Sequence, residues 1–281
     1  MAAGTQTVGH TALARNGRAD PAAWLRRRLL ALVRSRKLAM VVAMATILMF
    51  WQLAAWSLPD FLMPGVPTVA ARLVHDVGTA QFRELLLSSL GRLVSGYGLA
   101  LVAGVTLGLC AGLFGFFREV LKSAIVILQS IPSIAWVPLF LILMGFGNAP
   151  IIVVIALAAF YPAALSVMNA TESVEPDYVA AARVMGARRV QLLRRVYLPA
   201  VTPELLTGAQ LAFGNAWRAL IAAEMLIGFG QGLGRSLAYA GETADMSGVM
   251  ASILCIAVLA TLIDRVLLEG VKRRLLHYQY V

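Results

Sequence analysis

The chain has 281 residues, of which 60% are hydrophobic and only 14% charged, with a mean hydropathy of +0.79. That balance leaves too little polar surface to keep a soluble domain wet, and it predicts an integral membrane protein. The formal charge of +10 is divided among four segments that flank apolar stretches, which excludes a nucleic-acid-binding module with its cations gathered on one face.

Residues 1–37 read as a cytoplasmic tail up to about Asp20-Pro21 and then, from Ala22 to Lys37, an amphipathic segment in which Trp24, Leu25, Leu29 and Leu32 are set against arginines, suited to lie on a lipid surface. Crossing about 30 Å of hydrocarbon takes roughly 20 apolar residues in a helix. Six stretches qualify: 38–57, 90–114, 121–144, 149–170, 200–227 and 247–268. Their apolar runs are continuous rather than alternating, so the expected fold is all-α and polytopic, not a barrel. The first stretch is too long for a signal-peptide core, ends on Trp51 and Trp56 and lacks an A-x-A site, so it reads as a retained span.

With the N-terminus inside, nineteen lysines and arginines fall on the inner side, against Arg72, Arg83 and Arg235 outside. This asymmetry places both ends in the cytoplasm. Residues 58–87 connect the first two spans through Pro59, Pro64 and Pro67 and then V-A-A-R-L-V-H-D-V, whose spacing predicts a short external helix.

The second span has Gly96, Ala100, Gly104, Gly108 and Gly112 at four-residue intervals along one side. Such a stripe permits close helix contact, or else a sliding surface. The third span contains I-P-S-I-A-W-V-P-L from Ile131 and the fourth F-Y-P from Phe160. Proline removes a backbone donor, and in lipid the carbonyl it frees needs another partner, so these two helices are expected to be kinked and to line a pathway, with plain packing as the alternative.

Gln129, Gln210, Asn215, Arg218 and Glu224 lie within apolar spans and should face protein or water. Arg218 and Glu224 are six residues apart, about 240° around a helix, so each needs a partner elsewhere. Two uses of Arg218 stay open: attracting an anionic solute, or satisfying carbonyls freed by Pro132 or Pro162. Glu224 lies near the outer end of its span, where snorkelling to water is cheap. The candidate pathway residues are thus Gln129, Pro132, Trp136, Pro138, Tyr161, Pro162, Asn215 and Arg218. Cys110 and Cys255 both fall inside spans without C-x-x-C or histidine neighbours, so neither a disulfide nor a metal site is expected, and no cofactor or catalytic set is visible.

Between the fourth and fifth spans the chain turns polar, E-P-D-Y-V-A-A-A-R-V-M-G-A-R-R-V-Q-L-L-R-R-V-Y-L-P from Glu175 to Pro199. Pro176 suits a helix start, and Glu175 and Asp177 suit the positive end of its dipole. Ala180, Ala181 and Ala182 leave a slim surface, and Gly186 stops the helix as a left-handed cap. A second helix, Arg188 to Val196, places Leu192, Leu193 and Val196 where they can face the membrane domain, and Pro199 opens the fifth span. The loop reads as a helix-turn-helix bracket for a soluble partner.

These residues carry a resemblance. Ala181, Ala182, Gly186, Leu198 and Pro199 are similar to the A-A-x-x-x-G-x(11)-L-P core of the cytoplasmic loop in permease subunits of binding-protein-dependent ABC importers. Further ordered similarities are S-L-G-R-L-V-S-G-Y-G-L-A from Ser89, G-F-G-N from Gly145, A-E-M from Ala223 and G-L-G from Gly232, which together resemble the sulfonate, taurine, nitrate and bicarbonate branch. The resemblance implies a type I importer permease fold, with residues 38–281 as the permease domain and 171–199 as its coupling loop, set in a bacterial inner membrane. It implies that Pro176, Asp177, Ala181, Ala182, Arg183, Gly186, Leu198 and Pro199 serve an ABC ATPase docked on the loop, with a periplasmic binding protein outside and a second copy of the chain as partners. The implied solute is small and anionic, sulfonate or taurine first, with nitrate, bicarbonate, an aromatic acid or a vitamin precursor as alternatives. The sequence departs from the family at Ala180, where glutamate is usual, and Pro176-Asp177 inverts the usual D-P order.

The chain has no G-x-x-x-x-G-K-[ST] phosphate loop, so ATP would be hydrolysed on another subunit. Two other classes remain: an ion-driven secondary transporter, which needs paired intramembrane carboxylates where the spans offer Glu224 and Asp264, and a non-transporting membrane scaffold.

Overall fold

Residues 36–270 are described by a computed structural model, and every regular element among them is helical. The chain divides into two units, residues 1–57 and 58–281. In the first, α1 (Arg36–Ser57) is apolar on all sides, and Val41, Ile47, Phe50 and Trp56 are exposed, as a helix that meets lipid requires. The tail and nearly all of the amphipathic segment expected over Ala22–Lys37 lie outside the described residues, as do the last eleven residues of the chain.

In the second unit, α2 (Val66–Val77) is the expected short helix, with proline in its first positions. The next helix, α3 (Ala80–Leu113), begins ten residues before the expected span because the Thr79 side chain caps it, accepting from the Phe82 amide at 3.2 Å. Its 34 residues make a rod of about 51 Å, longer than the hydrocarbon alone requires. Hydropathy missed the first turns because Gln81, Arg83 and Glu84 are polar there.

The third expected span is not one kinked helix. α4 (Gly115–Gln129) and a 3-10 turn at Ser133–Trp136 that runs into α5 (Val137–Met144) meet at 88°. Pro132 sits in extended backbone at φ −53° and ψ 133°, which no helix continues. Pro138, by contrast, occupies the first turn of α5, where its missing N–H costs nothing.

α6 (Asn148–Glu172) passes through Pro162 as a single helix. The bracket follows as α7 (Pro176–Val184) and the short α8 (Arg189–Leu192). A π turn at Leu193–Tyr197 then leads without a break into α9 (Leu198–Ile227). Pro199 cannot donate to a preceding carbonyl, and the widened turn just before it lets the helix pass. α10 (Leu233–Glu242) and α11 (Met246–Ile263) follow, the latter running into a π turn at Asp264–Glu269, and the Asp245 side chain caps α11 through the Gly248 amide at 2.9 Å. At this end Arg72 bridges Asp76 at 3.0 Å and Asp245 at 3.3 Å; the hydrogen bond to Asp76, then its charge, pushes the Arg72 guanidinium above its ordinary value.

Among the described residues α1, α3, α6 and α11 are long and apolar enough to span, and the bent α4–α5 pair makes five. The remaining expected span, the fifth over 200–227, is α9, which has 30 residues but carries Glu204, Gln210, Asn215, Arg218 and Glu224.

The core lies where α3, α6 and α9 pack together around Leu93, Ile151, Ile155, Phe213, Trp217 and Leu220. The small-residue stripe faces α6 at contact distance. A Cβ on Gly96 would come within 2.7 Å of Ile155, one on Gly104 within 2.8 Å of Ala163, and one on Gly108 within 2.9 Å of the Ala164 carbonyl, while Gly112 abuts Thr171. The stripe is therefore a packing surface. Gly108→Leu should cost about 1–3 kcal/mol by overpacking and lower the thermal midpoint of the purified protein, while Gly98→Leu, with nothing within 4 Å of its would-be Cβ, should not.

Candidate functional site

Three constructions carry chemistry, and the first is the bracket. Asp177 lies in the first turn of α7 and Arg183 in its last, each favourable to the helix dipole. The helix ends at Gly186, whose φ of +81° is left-handed; its amide donates to the Arg183 carbonyl at 2.9 Å, and the Ala187 amide to the Ala182 carbonyl at 3.0 Å. Val179 and Ala182 face inward and close a small core with Leu192, Val174, Ala187, Val196 and Tyr197. Leu192 and Val196, expected against the membrane domain, thus pack against α7. Outward lie Asp177, Ala180, Ala181 and Arg183, with Tyr178, Val184 and Met185 at 66%, 89% and 81% exposure. Leu198 and Pro199, also exposed, start α9.

The bracket's entry is tied down. Arg118 donates to the Ala111 carbonyl at 3.3 Å and the Gly112 carbonyl at 2.5 Å, and pairs with Glu172 at 3.3 Å. One guanidinium therefore joins the last turn of α3 to the last residue of α6.

The second construction is a cavity of about 480 Å³ beside the α4–α5 break. Gln129, Pro132, Tyr161, Pro162, Asn215 and Arg218, six of the eight expected pathway residues, line it together with Ile131, Ser133, Ala158, Leu165, Ser166, Asn169 and Leu211. Trp136 and Pro138 do not: Trp136 stands against Phe140 with ring centroids 6.4 Å apart, and Pro138 is exposed at the start of α5. Arg218 donates to the Asn215 side-chain oxygen at 2.6 Å, one turn back on its own helix. Among the described residues no carboxylate and no backbone carbonyl accepts from it, so it is not spent on carbonyls freed by Pro132 or Pro162. The Tyr161 hydroxyl is buried without a hydrogen-bond partner among the described residues. Ser166 and Asn169 were not singled out from the sequence, yet they continue the face of Pro162 at helical spacing, a signal that was present.

The third construction corrects the reading of Glu224. It does not snorkel: it is 1% exposed and bonded on both oxygens. Arg92 lies 2.7 Å from Oε1, the Ser89 hydroxyl 2.8 Å from Oε1 and 2.9 Å from Oε2, and the Gly234 amide donates to Oε2 at 2.9 Å. Ser89 in turn accepts from the Leu233 amide at 2.8 Å, and Arg92 donates to the Asn148 side-chain oxygen at 2.7 Å. Four segments converge on one buried pair: α3, the start of α6, α9 and the G-F-G-Q-G-L-G turn from Gly228. Only glycine fits at Gly232, where a Cβ would stand 2.6 Å from the carboxylate oxygens. A buried acid in a span needs a counter-charge, and with Arg218 excluded by helix geometry the signal was Arg92, at the outer end of the second span as Glu224 is at the outer end of the fifth.

Comparisons with known proteins agree with this architecture. Residues 100–275 match the family of binding-protein-dependent transport system inner membrane components. The chain is 33% identical to the taurine transport system permease protein TauC of Escherichia coli over 86% of its own length and 90% of that protein's. It is 28% identical to the nitrate import permease protein NrtB of Synechocystis over 80% and 84%. In three dimensions it superposes on a chain of the inward-facing MetNI methionine ABC transporter with a TM-score of 0.56 at 20% identity, covering 70% of this chain and 99% of that one, which establishes a shared fold. A multi-pass helical chain with these matches and no phosphate loop is not itself an ATPase. It belongs to the inner-membrane permease subunits of binding-protein-dependent ABC importers, on the branch that includes taurine, sulfonate and nitrate permeases.

Proposed function

We propose that this chain conducts a small anionic solute inward, sulfonates and taurine before nitrate or bicarbonate, as one half of a homodimeric type I permease. The observation that carries the reading is the cavity beside the α4–α5 break, which gathers one cation and several neutral polar groups from three helices between the bracket and the Arg92–Glu224 pair. The relatives named for taurine and nitrate support an anion. α9 completes a set of six spans; its polar residues suit a helix that borders protein and water rather than lipid. Both chain ends lie in the cytoplasm, as the basic asymmetry requires.

In this account the outward face of α7, from Asp177 to Gly186, seats in a groove of a separate ATPase. Its displacement tilts α6 and α9 through the entry tied by Arg118 and Glu172, and the break at Ser130–Pro132 acts as the hinge between inward-open and outward-open states. The segments 58–87 and 228–246 meet the periplasmic binding protein. A secondary transporter is disfavoured, because Glu224 is engaged by three donors and is not free to relay a proton.

Proteoliposomes holding the chain, its ATPase and its binding protein should accumulate labelled sulfonate or nitrate only when ATP is present on the ATPase side. Uptake driven by an ion gradient without ATP would contradict the reading, and no uptake of any anion would favour a scaffold.

A further inference from the structure

We infer that the cavity at Arg218 is a binding station for a net-anionic oxyanion, and that it discriminates against a solute carrying its own ammonium group. The inference rests on the permease reading and reorders the solutes named there, putting alkanesulfonates and nitrate ahead of zwitterionic taurine.

Among the described residues Arg218 is the one charged residue in the cavity wall. Its bond to Asn215 at 2.6 Å fixes the plane of the guanidinium while occupying only Nη2. Nε and Nη1 have no partner among the described residues, and Nη2 keeps a second N–H, so one two-donor edge of the guanidinium, Nη2 with either Nε or Nη1, stays open to match two oxygens of a sulfonate, nitrate or carboxylate. Gln129, Ser133, Ser166 and Asn169 supply neutral amide and hydroxyl donors around it. Such a set replaces the water an oxyanion loses on entering without holding it by so many charges that release becomes slow.

What the wall lacks is equally specific. Among the described residues no carboxylate lines the cavity. Glu224, the buried acid of the same helix, is 1% exposed and committed to Arg92. A zwitterion such as taurine would therefore bring its ammonium beside Arg218 with no counter-charge, losing water and meeting like charge in a space of about 480 Å³. An alkanesulfonate or nitrate of the same net size carries no such penalty.

The test uses the purified complex of the chain with its ATPase, without the binding protein, and measures equilibrium binding of radiolabelled ethanesulfonate with unlabelled nitrate and taurine as competitors. Nitrate should displace the label, taurine should compete at least about tenfold less well, Arg218→Met should weaken binding by about tenfold or more, and Arg218→Lys should recover part of it. Taurine competing as well as unlabelled ethanesulfonate, or Arg218→Met binding like the wild type, would overturn the station. Should Arg218→Met not assemble, the competitor ranking on the wild type still decides. ATP-driven uptake by the same complex, reconstituted in proteoliposomes with the binding protein added, keeps the two claims apart: if uptake stands and the ranking fails, only the station falls; if wild-type uptake itself fails, the permease reading falls.

Discussion

Replacing Glu224 with leucine is expected to cost about 3–5 kcal/mol, because it strands the Arg92 guanidinium in a buried site with no counter-charge. Arg92→Met should cost a similar amount by stranding the carboxylate. The geometry sharpens this beyond a generic buried pair, since the same carboxylate also satisfies the Gly234 amide and the Ser89 hydroxyl. Losing it leaves orphaned donors from two segments as well as a charge. The double variant, Arg92→Met with Glu224→Leu, removes both charges and should be more stable than the sum of the singles predicts, a coupling measurable as thermal midpoints of the purified protein in detergent. Additive losses would mean that the two side chains do not act as a pair.

Replacing Gly186 with valine is expected to uncouple transport while leaving the membrane domain inserted. Nothing lies within 4 Å of a Cβ built there, so the effect does not come from crowding. It comes from φ at +81°, which a β-branched residue adopts at a cost of about 1–3 kcal/mol. The local remedy is to unwind the turn, and that breaks the bonds from the Gly186 and Ala187 amides and swings Val179 and Ala182 off Leu192. Gly186→Asn should be far milder, because asparagine tolerates the left-handed region. Co-purification of the ATPase and ATP-driven uptake should both fall sharply in Gly186→Val and be largely kept in Gly186→Asn. Equal behaviour of the two variants would show that the turn conformation does not matter.

Much of this architecture was legible in residue patterns because the bilayer imposes few choices. Continuous apolar runs had to be helices, Gly186 between two polar helical stretches had to cap one of them, and glycines every fourth residue had to meet a neighbour closely. Misreadings fell where tertiary context overrides local pattern. The first turns of α3 are polar, so hydropathy placed the start at residue 90 and ignored the Thr79 cap. Pro132 promised a kink, yet whether proline bends or breaks a helix depends on what packs around it, and here it breaks the chain through 88°. Glu224 looked free to reach water because its depth was visible in the sequence and the Gly228–Gly234 turn that covers it was not. In the cavity, the residues at the α4–α5 break and on α6 and α9 were found through proline and charge. Ser166 and Asn169 were missed because serine and asparagine in a span are individually unremarkable, and only their register with Pro162 gives them a direction.

The account turns on α7 being the surface that receives the ATPase, and cross-linking tests this most directly. With the ATPase co-expressed, cysteines placed by Ala180→Cys and Val184→Cys, both at exposed positions, should form short-linker adducts with the ATPase, and the yield should change when ATP is added. A cysteine placed by Ala182→Cys, on the buried face, should not. Co-purification of the ATPase without any adduct from the two outward positions would contradict the assignment and move the coupling surface elsewhere on the chain.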